Sequence, residues 1–113
     1  ENYDENNVRK AQLQLKAHQL SLKIMIDCSH GNSNKDHRKQ TKVFENVLQQ
    51  IKNGNIDIIG IMIESNLNEG RQFIPHNLAN FDAKKLRYGT SITDSCIGWE
   101  ETEALLLNAY KSL

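Results

Sequence analysis

Residues 24–33, IMIDCSHGNS, decide the fold of this chain. The first three form a short unbroken apolar run, which is typical of a strand buried on both faces of a parallel sheet. Asp27 to His30 close that run, and residues 31–34 are short polar turn residues of the kind that begin helices. The stretch therefore predicts a strand that ends in polar side chains and leads directly into a helix.

The alternation of strand and helix extends outward from this stretch in both directions. Apolar periodicity and turn residues predict helices at about 4–17, around the apolar stripe 43–51 and at about 99–111, and strands at 24–26, 56–63 and 90–93. On the last helix, Leu105, Leu106 and Ala109 are the expected buried face. The order αβαβαβα implies an α/β fold with parallel strands and right-handed connections. Residues 65–89 lack a pattern, and we expect them to be a functional loop that contains a short helix.

Length, charge and cysteine content exclude several classes of protein. A chain of 113 residues holds one domain at most. Fourteen basic and 14 acidic residues cancel, so no basic field is available to hold nucleic acid or a membrane surface, and we expect neither partner. No apolar run suits a membrane span and the first residues do not resemble a signal peptide, so we expect a cytoplasmic location. Cys28 and Cys96 form no CxxC motif, which argues against a disulfide framework or a zinc ribbon.

His30, Glu64 and Asp94 each close one of the three predicted strands. Parallel strands lie roughly 4.8 Å apart, so side chains at the same end of successive strands can converge. The carboxyl ends of such strands are where α/β proteins keep their sites. One imidazole with two carboxylates suits Mn²⁺, Fe²⁺ or Zn²⁺ and leaves coordination positions open for water or substrate. The spacing therefore predicts a divalent metal site.

Each of these three residues also has an ordinary structural explanation. His30 alone could cap a helix, Glu64 could face solvent, and Asp94 could cap the next turn, because polar residues gather at strand ends in every parallel sheet. Only the occurrence of all three in register favours the metal.

The neighbours of these residues carry weaker expectations. By strand alternation, Asp27 and Ser29 point to the face opposite His30, so we expect one of them to support the site and the other to pack outward. His37, like His18 and His76, is expected to be an ordinary solvent-exposed histidine.

Three stretches, IMIDCSHGNS at 24–33, GIMIES at 60–65 and YGTSITDSCIGWE at 88–100, closely resemble the C-terminal third of the class I 3-deoxy-D-arabino-heptulosonate 7-phosphate (DAHP) synthases. The resemblance extends over nearly the whole chain. That family folds as a (β/α)₈ TIM barrel and condenses phosphoenolpyruvate with erythrose 4-phosphate, the first step of the shikimate pathway to aromatic amino acids. The resemblance implies that residues 1–113 form a single segment, the C-terminal part of such a barrel.

The resemblance also implies a ligand set. In the family a Cys, a His, a Glu and an Asp bind the divalent metal, and the last three match His30, Glu64 and Asp94. It further implies that His30 and Asp94 take part in catalysis, and that the ligand Cys and most phosphate-binding Arg and Lys residues lie upstream. Cys28 and Cys96 do not match that ligand, and we expect them to pack as small hydrophobic residues near the site.

Three hypotheses for function follow. A (β/α)₈ barrel needs roughly 250 residues, so the first is that this chain is part of a DAHP synthase that is inactive in isolation and forms a homo-oligomer when complete. The second is a non-catalytic fragment that associates with itself through open sheet edges. The third is a small metal-dependent aldolase with another carbonyl substrate.

Overall fold

Three helices and two parallel strands make up the fold in a computed structural model that describes residues 1–113. In chain order the elements are α1 Glu5–Ala17, β1 Ile24–Asp27, α2 Gln40–Lys52, β2 Ile58–Met62 and α3 Trp99–Ser112. Single 3₁₀ turns lie at His30–Asn32, His37–Lys39 and Ala83–Lys85. β1 and β2 are paired in parallel, with Ile26 opposite Ile61, and α2 connects them. The prediction of an α/β fold with parallel strands is confirmed for these elements.

The helices form where the apolar periodicity predicts them. α1 begins after Asp4, whose carboxylate accepts hydrogen bonds from the side-chain amide of Asn7 at 2.5 Å and from the backbone N–H of Asn7 at 3.1 Å. The side-chain bond, followed by the backbone bond, lowers the pKa of Asp4. α2 buries the predicted apolar stripe but starts only at Gln40, after two 3₁₀ turns. Asn34 and Lys35 both have positive φ angles, 53° and 59°, which prevents a continuous helix from starting directly after the strand.

One face of the sheet carries the core. Ile26 of β1, Cys28 directly after β1 and Ile58 of β2 pack in one cluster with the apolar stripe of α2. On the other face, Met25 is 62% exposed and Ile59 at the register irregularity is 65% exposed. The expectation of strands buried on both faces is therefore wrong for this structure, because nothing packs on that second face. The molecule is a flat layer, 54 × 34 × 19 Å.

The third predicted strand, residues 90–93, does not form. Only isolated bridges connect this region to the loop after β2, at Arg71–Ser91, Gly70–Cys96 and Ser65–Ile97. The hydroxyl of Ser91 accepts a hydrogen bond from the N–H of Thr93 at 3.2 Å, and such local bonding of Ser and Thr competes with a strand ladder. The observed order is αβαβα, and the predicted αβαβαβα order is wrong at this position.

Two smaller expectations differ in part. The short helix expected within residues 65–89 is the single 3₁₀ turn Ala83–Lys85. On α3, Leu105 is buried and Ala109 partly buried as predicted, whereas Leu106 is 50% exposed because its side of the helix has no neighbour.

None of the three helices combines the length and the apolar character that a bilayer crossing requires.

Candidate metal centre

His30, Glu64 and Asp94 meet at one end of the sheet. One ligand atom from each lies within 4.8 Å of the others. The Nε2 of His30 is 3.6 Å from Oε1 of Glu64 and 3.5 Å from Oδ2 of Asp94. His30 follows β1 and Glu64 follows β2, as predicted, but Asp94 reaches the cluster from a loop. The structure thus brings the three residues together, and their role as metal ligands stays a prediction.

The orientation of the His30 ring is set by Asp27. The backbone of His30 has a φ of +48°, an uncommon conformation for a residue with a side chain, and the ring is turned back toward β1. Its Nδ1 lies 2.7 Å from Oδ2 of Asp27, which leaves Nε2 facing the two other carboxylates. The hydrogen bond and charge of Asp27, with the charge of Glu64, raise the pKa of His30. A carboxylate on the far nitrogen is the usual arrangement behind a metal-binding histidine.

Glu64 is held through its backbone by a side chain that sequence reasoning missed. Gln40, fully buried at the start of α2, accepts a hydrogen bond from the N–H of Glu64 at 2.8 Å and donates one to its C=O at 3.1 Å. A buried amide thus holds Glu64 just beyond the strand end, together with the backbone N–H of Ile97, which donates to the same C=O at 3.0 Å. The only signal in the sequence is a glutamine that precedes the apolar stripe of a helix, which is too common to interpret.

Ser29 also contacts the site. Its hydroxyl donates to Oε2 of Glu64 at 2.5 Å, which leaves Oε1 on the side of His30. The expectation that only one of Asp27 and Ser29 supports the site is therefore wrong. Strand alternation ends at Asp27, and the 3₁₀ turn at His30–Asn32 brings both side chains to the same cluster.

Asp94 lies in a loop whose neighbour contacts a second histidine. The hydroxyl of Ser95 is 2.8 Å from Nδ1 of His37, and Nε2 of that ring is 3.7 Å from Oε2 of Glu69. The side chain of His37 is only 16% exposed. The expectation of a solvent-exposed His37 is wrong, because the 3₁₀ turn at His37–Lys39 directs the ring toward the Asp94 loop; His18 and His76 are exposed as predicted.

Two polar clefts adjoin the cluster. A cleft of about 620 Å³ includes Asp94, Ser95, His37 and Arg71, and one of about 390 Å³ includes Asp27 and His30. Both are lined by polar residues and glycine only. A polar molecule can therefore approach Asp94 from the first cleft and His30 from the second.

The cysteines behave as predicted. Cys28 is fully buried and Cys96 is 8% exposed. Burial raises the pKa of the Cys28 thiol to about 12 and raises that of Cys96 as well. Neither sulfur belongs to the cluster of potential ligand atoms.

Comparison with known proteins identifies the family. The model of the DAHP synthetase I family matches residues 1–107. The chain belongs to this family. Its resemblance to the class I DAHP synthases, stated above from three sequence motifs, is therefore confirmed.

Relatives in the DAHP synthetase I family match nearly the whole of this chain. The Tyr-sensitive phospho-2-dehydro-3-deoxyheptonate aldolase of Salmonella typhimurium is 46% identical over 112 residues, 99% of this chain and 30% of its own length. The phenylalanine-inhibited phospho-2-dehydro-3-deoxyheptonate aldolase of Saccharomyces cerevisiae is 47% identical over 109 residues, 93% of this chain and 29% of its own length. The chain thus spans about 30% of the length of the curated relatives it matches.

The fold agrees with a solved member. The structure of phospho-2-dehydro-3-deoxyheptonate aldolase from Francisella tularensis is similar with a TM-score of 0.84 and 42% sequence identity. The match covers 98% of this chain and 30% of that chain. The αβαβα arrangement, including the loop that carries Asp94, is thus similar to one part of a larger enzyme.

Proposed function

We propose that this chain is the C-terminal segment of a class I DAHP synthase, an enzyme that condenses phosphoenolpyruvate with erythrose 4-phosphate in the first step of the shikimate pathway. The observation that carries the proposal is the convergence of His30, Glu64 and Asp94 in a chain of this family. Relatives that bear the name of this aldolase match 99% of the chain. The uncovered sheet face is consistent with the proposed place of the chain in a larger (β/α)₈ barrel.

The three candidate ligands fit a divalent transition metal. Nitrogen from His30 and oxygen from two carboxylates form a donor set that suits Mn²⁺, Fe²⁺ or Zn²⁺. Nε2 of His30 lies 3.6 Å from Oε1 of Glu64 and 3.5 Å from Oδ2 of Asp94, which leaves room for the three atoms to close around one ion. A bound metal would act as a Lewis acid on the aldehyde of erythrose 4-phosphate.

The residues of this chain would hold and orient that site. Asp27 keeps the proton of His30 on Nδ1, so that Nε2 can bind. Ser29 binds one oxygen of Glu64 and leaves the other for the metal. The two polar clefts give the substrates access on the sides of His30 and Asp94. The chain by itself would be inactive, since the strands that complete a barrel lie elsewhere.

A hybrid enzyme tests the function. We define the hybrid as the Francisella tularensis aldolase in which residues 1–113 of this chain replace the matched segment. We expect it to consume phosphoenolpyruvate and release phosphate with Mn²⁺. We expect His30→Ala to lower the rate more than about 100-fold, since metal polarisation supplies several kcal/mol. The matched control is His18→Ala, which replaces an exposed histidine and should leave the rate unchanged. A folded hybrid without activity would overturn the proposal, and activity of the isolated chain would overturn the inactive-fragment part.

A second candidate, self-association, is favoured by the open sheet. β1 and β2 pair only with each other, so each has an unpaired outer edge, and the uncovered face carries Met25 and Ile59. Open edges and apolar faces promote pairing between copies. Light scattering coupled to size-exclusion chromatography tests whether the isolated chain forms a homo-oligomer. A monomer at high concentration would exclude this candidate.

A further inference from the structure

Asp94 lies in the least supported part of the candidate metal centre. Residues 92–95 make no backbone–backbone hydrogen bond. The segment is anchored before them, where Ser91 accepts from the N–H of Gln72 at 2.8 Å, and after them, where Cys96 and Gly70 exchange two backbone hydrogen bonds. Between these anchors, the polar contacts of the segment with distant residues are the approach of Asp94 to His30 and the contact of Ser95 with His37. Something other than a strand ladder must therefore set the position of Asp94.

His37 is well placed to do so. It lies in the 3₁₀ turn directly before α2, and its largely buried ring contacts two segments at once. Nδ1 faces the hydroxyl of Ser95 at 2.8 Å, and Nε2 faces the carboxylate of Glu69 at 3.7 Å. Glu69 precedes Gly70, the residue that pairs with Cys96. The ring thus bridges both sides of the loop that carries Asp94.

The chemistry of the imidazole suits this contact. An imidazole Nδ1 can accept a hydrogen bond from a hydroxyl such as that of Ser95, while Nε2, the other ring nitrogen, lies on the side of the Glu69 carboxylate. Ser95 is the direct neighbour of Asp94, so fixing its side chain restricts the backbone on which the carboxylate is carried. His30 and His37 lie on the same connection between β1 and α2.

We infer that His37 and Ser95 form a positioning pair that holds the Asp94 carboxylate against His30 and thereby strengthens binding of the divalent metal. The inference rests on the proposed function. His37 and Ser95 are positioning residues, since neither belongs to the cluster of ligand atoms. Outer-shell groups bonded directly to a ligand typically change metal affinity by about 10–100-fold. Because this pair acts on Asp94 through the backbone, we expect an effect at the low end of that range.

Mn²⁺ binding to the hybrid enzyme tests the inference, with free Mn²⁺ counted by electron paramagnetic resonance. We expect Ser95→Ala and His37→Phe each to weaken binding about tenfold and the double variant to weaken it no further, because the two residues act through one contact. Ser95→Thr keeps the hydroxyl and should restore the parent affinity. Parent affinity in Ser95→Ala, additive losses in the double variant, or failure of Ser95→Thr to rescue would each overturn the inference.

Hydrogen exchange gives a readout without metal. In the metal-free hybrid, Ser95→Ala should speed exchange of the amides of Gly70 and Cys96, which are hydrogen-bonded to each other's carbonyls directly beside Ser95, and leave α2 unchanged. Unchanged exchange of these two amides would overturn the inference. His30→Ala separates this proposal from the proposed function. Loss of Mn²⁺ binding in His30→Ala with parent affinity in Ser95→Ala would overturn only the positioning pair. Absence of binding in the parent hybrid would overturn both.

Discussion

Replacement of Gln40 by Met tests how Glu64 is held. Methionine is unbranched and close to glutamine in size, so Gln40→Met fills the same buried space but removes both hydrogen bonds to the backbone of Glu64. The C=O of Glu64 keeps its bond from the N–H of Ile97 at 3.0 Å, whereas the N–H of Glu64 has no other backbone partner.

The size of the effect follows from that difference. An unpaired buried N–H costs about 1–3 kcal/mol, and loss of the second bond on a carbonyl that keeps a partner costs about 0.5–1.5 kcal/mol. We therefore expect Gln40→Met to lower the free energy of unfolding by about 1.5–4.5 kcal/mol. Because Glu64 then moves relative to His30, Mn²⁺ binding should weaken as well.

Urea unfolding of the hybrid enzyme, followed by circular dichroism, measures the change. The matched control is Gln49→Met, the same substitution on the exposed face of the same helix, where the amide bonds only to Asn53. We expect a change within about 0.5 kcal/mol for this control. Equal effects of the two substitutions, or a loss below about 0.5 kcal/mol for Gln40→Met, would refute the reasoning that Gln40 holds the end of β2.

Three further predictions concern the site and the loops around it. Asp27→Asn should weaken Mn²⁺ binding at about pH 8 by about 10–100-fold, because the carboxylate orients His30; equal affinity in calorimetric titrations would contradict this role. Asp27 raises the pKa of His30, so protons begin to displace the metal from this ring at a higher pH than they would from an ordinary histidine. In Asp27→Asn, the pH below which Mn²⁺ binding is lost should therefore be lower. Cys28 has no exposed surface, and burial raises the pKa of its thiol to about 12. It should therefore resist an aromatic disulfide reagent in the folded hybrid and react after unfolding in urea, with labelling followed by mass spectrometry. Rapid labelling of the folded protein would contradict its burial. Gly89→Ala should lower the free energy of unfolding by more than about 1 kcal/mol, because φ is +71° and the new Cβ would lie 2.7 Å from the Cβ of Leu67; an unchanged urea midpoint would contradict it.

Local patterns in the sequence predicted most of the regular structure. The apolar stripe of α2, the periodicity of α1 and the two apolar strands are each encoded within a dozen or so neighbouring residues, and each element forms near its predicted place. Family motifs also identified His30, Glu64 and Asp94 as a group, and the structure brings them together. Periodicity reports which side of an element is apolar, and strand ends in a parallel sheet meet at one edge, so these features need no knowledge of distant contacts.

Only the tertiary structure decided how the candidate ligands are held. Gln40 bonds to Glu64 across 24 residues of sequence, and Ser95 reaches His37 across 58. Neither partner shows a local pattern, because a side-chain hydrogen bond depends on where the folded backbone places the two groups. The predicted third strand failed for a different, local reason, because hydrogen bonding between Ser91 and Thr93 competes with a strand ladder. The sequence by itself grouped Asp94 with His30 and Glu64, whereas only the folded structure decided that a loop, rather than a strand, carries it there, because residues 92–95 make no backbone hydrogen bonds to a neighbouring strand.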